Sequence, residues 1–390
     1  MTILLLLAII LLNLTPALSQ DKESEHTTEE LRHALTSPCV LRKLYRDYLS
    51  LHGHIRPPHQ EQTRLQIFKQ EIKEILELRA NTAIKWEAGI NLLADMNDAE
   101  RQQLKGYYHN VSLVRDHKFL AKRSAGETLS VSVDDKFDNW RIKGLIGKAP
   151  NQLKNDCWAH AAVVPVEAET ALYRGKFIRM SVQELYDCSY PSDHPIDDLG
   201  GNPVDAWRYI AKSGRLGTWK ESPESKKREM KSCVGRYDKT NNAIDGYLME
   251  SVVKVVNEKN LLQLIKCTSP IVVGVDTVGS HLGKYVGKGL FNAINCHPVG
   301  DHTLVVVGYN PEALIIRNSW GKGFGLNGYV MWDRKGETCC MYDGAFSAYL
   351  IKKKSIKKSK RSLDIWDSKE QESCINWAAV PRIADGEEYY

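Results

Sequence analysis

The sequence predicts an α+β chain, with helices in its first half and antiparallel strands toward its end. Two observations predict this. Apolar residues recur at helical spacing over residues 60–79, and a helix-length apolar stretch follows Cys157. Farther on, the β-branched run after His302 and the run 314–317 flank an Asn310-Pro311 turn, the pattern of a hairpin. At 390 residues the chain suggests two or three folding units. With 43% apolar and 26% charged residues, it is not collagen-like, coiled-coil or wholly disordered.

The elements follow in order. Residues 3–12 form an apolar run, and Pro16-Ala17-Leu18-Ser19 supplies small residues at 17 and 19. Residues 1–19 therefore read as a signal peptide. The run is shorter than the ~18 apolar residues a membrane span needs, and no later segment qualifies. Export places the cysteines in an oxidising compartment. It also makes Asn110, in Asn110-Val111-Ser112, a candidate glycosylation site. Residues 20–58 are polar and end in Pro57-Pro58. Leu65, Phe68, Ile72, Ile75 and Leu76 then predict an amphipathic helix of about 20 residues. A short apolar segment, residues 88–95, comes next. Residues 115–135 form a polar linker containing the dibasic pair Lys122-Arg123, a candidate processing site. Residues 133–353, dense in Trp, Tyr and Gly, are long enough to bury a core of their own. Residues 351–390 lose apolar pattern and read as a solvated, charged extension.

The net charge of +5 is local. Residues 352–361 carry six Lys and one Arg without an acid, and +5 less 7 leaves −2 for the rest. One run is not a patterned basic face, so a nucleic-acid partner is not expected. Nine cysteines, an odd count, leave at least one thiol outside intramolecular disulfides.

Three segments carry the chemistry. In Asn151-Gln152-Leu153-Lys154-Asn155-Asp156-Cys157-Trp158, Cys157 opens the apolar helix. There the unpaired N–H groups and the helix dipole favour a thiolate. Asp156 reads as the helix N-cap; as an acid beside a thiolate it would also raise the thiol's pKa. His160 reads as a packing residue. His302 opens the first predicted strand, where a histidine taken alone is more often structural. Asn318 ends the second strand, which a hairpin brings beside His302. A thiolate needs a base, and the base needs an orienting group. Cys157, His302 and Asn318 fit those roles, and the Gln152 amide fits an oxyanion donor.

Taken together, these segments resemble papain-like cysteine protease precursors of the cathepsin L type, over most of residues 60–350. His302 follows Cys157 by 145 residues and Asn318 by 161. Trp140-Arg141, Ser181-Val182-Gln183-Glu184-Leu185, Gly200-Gly201-Asn202-Pro203 and Asn318-Ser319-Trp320-Gly321 all match the family's motifs. The resemblance implies a two-lobe fold, with a helical left lobe carrying Cys157 and an antiparallel β right lobe carrying His302 and Asn318. It implies an inhibitory propeptide over 20–123, with its helical region about 42–105, then a peptidase domain over 124–350. Arg64, Phe68, Ile75 and Gly89-Ile90-Asn91-Leu92-Leu93-Ala94-Asp95 match the propeptide motifs, while Gln60, Glu71 and Arg79 depart from them. By resemblance, Gly200, Gly201, Asn202, Pro203, Asp301 and Trp320 belong to the substrate cleft, and Trp320 shields the His302–Asn318 pair. The main specificity pocket lies near Gly274, Gly300, Thr303 and Gly344.

One departure matters. Only four residues separate Gln152 from Cys157, where the family has five including a cysteine and a glycine. The usual partner of that cysteine falls near Asp198 and is also absent, so a bridge is lost as a pair. The resemblance implies Cys188–Cys233, and Cys296 with Cys339 or Cys340. It gives Cys157 the role of the odd free thiol. Cys296, His297 and His302 lack metal-site spacing, so neither metal nor cofactor is expected. The expectation is a secreted or lysosomal endopeptidase made as a zymogen. Its partners would be peptide substrates, its own propeptide and cystatin-like inhibitors, and the chain would be a monomer. The alternative is a catalytically impaired homologue acting as a binding or regulatory protein.

Overall fold

A computed structural model describes residues 26–108, 136–152, 154–189, 200–224, 233, 242–245, 247–255, 257–352, 375 and 377–383. The signal sequence, Asn110, the Lys122-Arg123 pair and Asp198 lie outside them. Among the described residues no helix is long and apolar enough to cross a membrane.

The amino-terminal body is helical. Helix α1 (Thr28–Thr36) starts with a capping box, Thr27 and Glu30 each satisfying the other's backbone N–H. Helix α2 (Pro38–Leu51) and helix α3 (Glu61–Ala80) follow; α3 is the helix that the apolar spacing predicts. It buries Phe68, Ile72 and Ile75 against Leu31, Tyr45 and Tyr48. Asp95, fully buried, accepts hydrogen bonds from Tyr45, Tyr48 and the Arg56 guanidinium. Arg64 bridges the Asp95 carbonyl to Glu100 in α4 (Asp98–Gln103). These paired charges fix the turn that delivers residues 104–108 to the rest of the protein.

Strand β1 (Trp86–Ala88) crosses to the second body, pairing antiparallel with β4 (Tyr285–Gly289). Between them, α5 (Asn139–Ile142) leads into α6 (Cys157–Arg174), which is buried through Ala171. Helices α7 (Val182–Cys188) and α8 (Pro203–Ser213) complete the helical lobe, and Trp207 of α8 donates to the Ala162 carbonyl of α6. The other lobe is a six-stranded antiparallel sheet. Its order is β2 (Tyr247–Lys254), β8 (Phe346–Lys352), β3 (Ile271–Val275), β5 (His302–Tyr309), β6 (Ala313–Arg317) and β7 (Tyr329–Asp333). Helix α9 (Glu258–Cys267) packs on it. The fold is α+β, a helical lobe beside an antiparallel β lobe, with the expected hairpin formed by β5 and β6.

Two expectations need correcting. Residues 375 and 377–383 are not a solvated tail, because Ile375, Trp377, Val380 and Ile383 pack on the core. Asp156 occupies the N-cap position of α6, but its side chain makes no capping hydrogen bond. It is buried, with Oδ2 3.5 Å from His160 Nε2 one turn on. Burial lowers His160 to about 4, so the ring beside that carboxylate is neutral and buried in the helix, as a packing residue would be.

Cys188 is bonded to Cys233, and Cys296 to Cys339. Cys267 is also disulfide-bonded. Cys374 lies outside the described residues. Cys157 is not alone as a free thiol: Cys39 is free and exposed, and Cys340 is free and half-buried.

Candidate active site

The site lies where the first turn of α6 meets the start of β5. Antiparallel pairing of β5 with β6 sets Val305 opposite Arg317, which leaves His302 and Asn318 near each other at the sheet's end. His302 Nε2 is 2.9 Å from Asn318 Oδ1. The Trp320 ring lies over His302, 4.7 Å between centroids, with Phe324 edge-on behind it. All four residues of this group are buried.

The Gln152 segment is tied to the same strand end. Its N–H donates to the Ser319 carbonyl at 2.6 Å, and the Ser319 hydroxyl donates to its side-chain carbonyl at 2.5 Å. Asn151 pairs with Trp320. The amide nitrogen is thereby aimed, and it donates to the Leu104 carbonyl at 3.0 Å and the Lys154 carbonyl at 2.7 Å. The second bond crosses the shortened loop before Cys157.

Leu104 begins a stretch of the amino-terminal body that fills the cleft. The N–H groups of Gly106 and Tyr107 donate to the Asp301 carbonyl at 3.2 Å. Gly201 donates to the Gly106 carbonyl at 2.8 Å, and Tyr108 to the Gly201 carbonyl at 2.9 Å, a parallel pairing. Asn202 caps α8 with its oxygen and donates its amide to the Tyr108 carbonyl at 3.0 Å, and buried Pro203 opens α8. Lys105 Nζ lies 3.3 Å from the Asp301 carboxylate, which Thr277 orients. A Cβ on Gly106 would stand 1.9 Å from the Asn155 carbonyl, so only glycine passes there.

The Tyr107 ring enters a slot walled by glycines. A Cβ on Gly274 would stand 2.4 Å from its edge, and one on Gly344 2.4 Å from its hydroxyl. Sequence reasoning finds the slot glycines but not Leu104, Gly106 or Tyr107. Their only signal is a small residue between bulky ones after Asp95.

Burial pushes the Cys157 thiol up to about 11, with Thr303 and the Gly106 backbone opposing it. Burial lowers His302 to about 4, against the opposing pull of Asn318, Asp301 and the Leu104 carbonyl. With the cleft covered, thiol and imidazole are therefore both neutral.

Residues 133–349 match the family model described as papain family cysteine protease. The chain belongs to the papain family of cysteine proteases. Cathepsin Q of Rattus norvegicus is 30% identical over 70% of this chain and 82% of its own length. Papain of Carica papaya is 29% identical over 80% and 88%. Among solved structures, digestive procathepsin L2 proteinase of Tenebrio molitor larval midgut superposes with a TM-score of 0.68 at 22% identity. It covers 79% of this chain, and 99% of that one is matched. The proform of the ragweed pollen protease Amb a 11 gives 0.67 at 22% identity, over 83% and 97%. The amino-terminal body, seated in the cleft, is thus a propeptide, and the chain is a cysteine peptidase zymogen.

Proposed function

We propose that the matured protein hydrolyses internal peptide bonds through a Cys157 acyl-enzyme. Once the propeptide leaves, the cleft hydrates and the helix N-terminus favours the Cys157 thiolate beside an imidazolium on His302. The thiolate attacks the peptide carbonyl carbon. The oxyanion is held by the Gln152 amide and the Cys157 backbone N–H. His302, oriented by Asn318, gives its proton to the leaving amine, and water then releases the acyl group. No metal or cofactor takes part in this scheme.

The observation that carries this reading is the Leu104 carbonyl held at 3.0 Å by the Gln152 amide. A peptide carbonyl already sits on the donor that the oxyanion requires. By export the enzyme belongs to the secretory pathway, extracellular or lysosomal, and its precursor would carry a glycan on Asn110 of the propeptide. Cystatin-like inhibitors would compete for the same cleft, and the enzyme would act as a monomer.

One observation favours the impaired homologue: Gln152 also spends its amide on Lys154 across the short loop. Labelling of the processed protein with a thiol-reactive peptide epoxide at pH 5–6 decides. The protease reading requires a covalent adduct on Cys157 that Cys157→Ala abolishes. A folded, processed protein that takes no label is the binding homologue.

A further inference from the structure

The carboxyl-terminal segment has a seat of its own on the enzyme body. Trp377 stands edge-on to Trp140 of α5 and to Phe137, with ring centroids 4.7 and 5.1 Å away. Its indole N–H donates to the Lys266 carbonyl at 2.7 Å, in the last turn of α9, where helix carbonyls lack intrahelical partners. The Trp140 indole treats the neighbouring Ile265 carbonyl the same way, also at 2.7 Å. Farther on, Lys143 Nζ donates to the Val380 carbonyl at 2.7 Å, and the Ile383 N–H donates to the Lys143 carbonyl at 2.9 Å. A Cβ on Gly144 would stand 2.6 Å from the Ile383 carbonyl, so the two backbones lie in direct contact. Cys267, next to the carbonyl that Trp377 caps, is disulfide-bonded.

What this segment covers gives it a role. Phe137 exchanges two backbone hydrogen bonds with Tyr309, at 2.8 and 2.7 Å, at the end of the strand that begins with His302. Residues 137–144 lie near the start of the peptidase domain, 124–350, and so near its new amino terminus when the propeptide is cut away. A free chain end frays unless something ties it down. Apolar cover from Trp377 and the two bonds to Lys143 supply such a tie.

We propose that the groove between α5 and the last turn of α9 is a peptide-binding surface whose ligand is the chain's own segment 375–383. The segment stays with the enzyme after maturation and holds its new amino-terminal stretch against the sheet. Only the part about maturation rests on the zymogen reading.

The test uses the full chain carrying Trp377→Ala, Trp377→Phe or Lys143→Met. Amide exchange is followed by mass spectrometry, with thermal unfolding alongside. Trp377→Ala is expected to speed exchange over 137–144 on the order of tenfold and to lower Tm by about 5 °C. Exchange over 91–95 in the propeptide stays as it was. Trp377→Phe keeps most of the protection, and Lys143→Met loosens the same stretch to a smaller degree. After processing, the non-reduced enzyme retains the mass of 375–383. Unchanged exchange over 137–144 overturns the proposal, as does a fully active mature enzyme that has lost the segment. If Trp377→Ala does not fold, Lys143→Met carries the exchange measurement. A chain that shows these effects yet takes no epoxide label sinks the protease reading and leaves the groove standing.

Discussion

A buried thiol and a buried imidazole explain how one site is both complete and silent. With the cleft covered, burial holds Cys157 near 11 and His302 near 4, so the neutral pair persists between those values. Alkylation of Cys157 by iodoacetamide should therefore be slow in the zymogen at pH 6 and rise only toward pH 11. After propeptide removal it should be fast at pH 5–6. Equal rates at pH 6 before and after processing would refute this account. Asn318 acts through His302, so Asn318→Ala should lower kcat on the order of 100-fold and KM far less. The slot makes a separate claim at this scale. Gly344 leaves room for the Tyr107 hydroxyl. Gly344→Ala should cut kcat/KM for substrates that place tyrosine there, while those placing valine keep most of theirs. A loss common to both would mean that the variant had disturbed the fold.

At the level of elements, legibility followed locality. Helix α3 was readable because five apolar side chains repeat with its period, and its partners lie in the same body. Cys157 and the hairpin were readable because an apolar helix and two β-branched runs announce their own ends. The propeptide stretch 104–108 has no period, and its partners are the backbones of Asp301 and Gly201, far along the chain. The seat of 375–383 depends on one tryptophan meeting two distant aromatic rings, which no local pattern encodes. Asp156 stands at the N-cap position that the local rule assigns it, but its side chain is buried and makes no capping hydrogen bond, which the local rule does not foresee. The nonlocal stretch is also the one whose chemistry is most easily disturbed. Gly106→Val would drive a Cβ into the Asn155 carbonyl, only 1.9 Å from its ideal position. The segment must then lift from the cleft. Epoxide labelling of that zymogen should approach the rate of the processed enzyme. A zymogen that stays as unreactive as the parent would show that residues 104–108 are not what blocks Cys157.

The molecule as a whole is two bodies joined by a charged seam, and the seam carries a sign. Lys284 lies 3.3 Å from Glu71 and 2.9 Å from Glu74, and Lys85 lies 2.8 Å from Asp333. Burial alone would raise Glu74, but the hydrogen bond and charge of Lys284 outweigh it and hold the carboxyl below its usual range. Asp333 is likewise held down, by Lys85 and the Lys335 N–H against burial. Carboxylates depressed by docking stabilise it above their ordinary values and lose that contribution as pH falls through them. His302 works in the same direction. Its neutral form is favoured while the propeptide covers it, a contribution complete above 6.5 and lost as pH falls toward 4. These three groups, Glu74, Asp333 and His302, thus favour the closed zymogen at neutral pH and release in acid, with His302 acting first and the two carboxylates below it. The full chain carrying Cys157→Ala, which cannot process itself, gives the measurement. Amide exchange over 104–108, corrected for its intrinsic pH dependence, should quicken as pH is lowered from 7 to 4. Lys284→Met should flatten the part of that rise that Glu74 contributes, by removing the group that holds its carboxyl down against burial. Protection that is flat across this range, or that grows in acid, would mean that the propeptide is held by its apolar contacts and not by its charges.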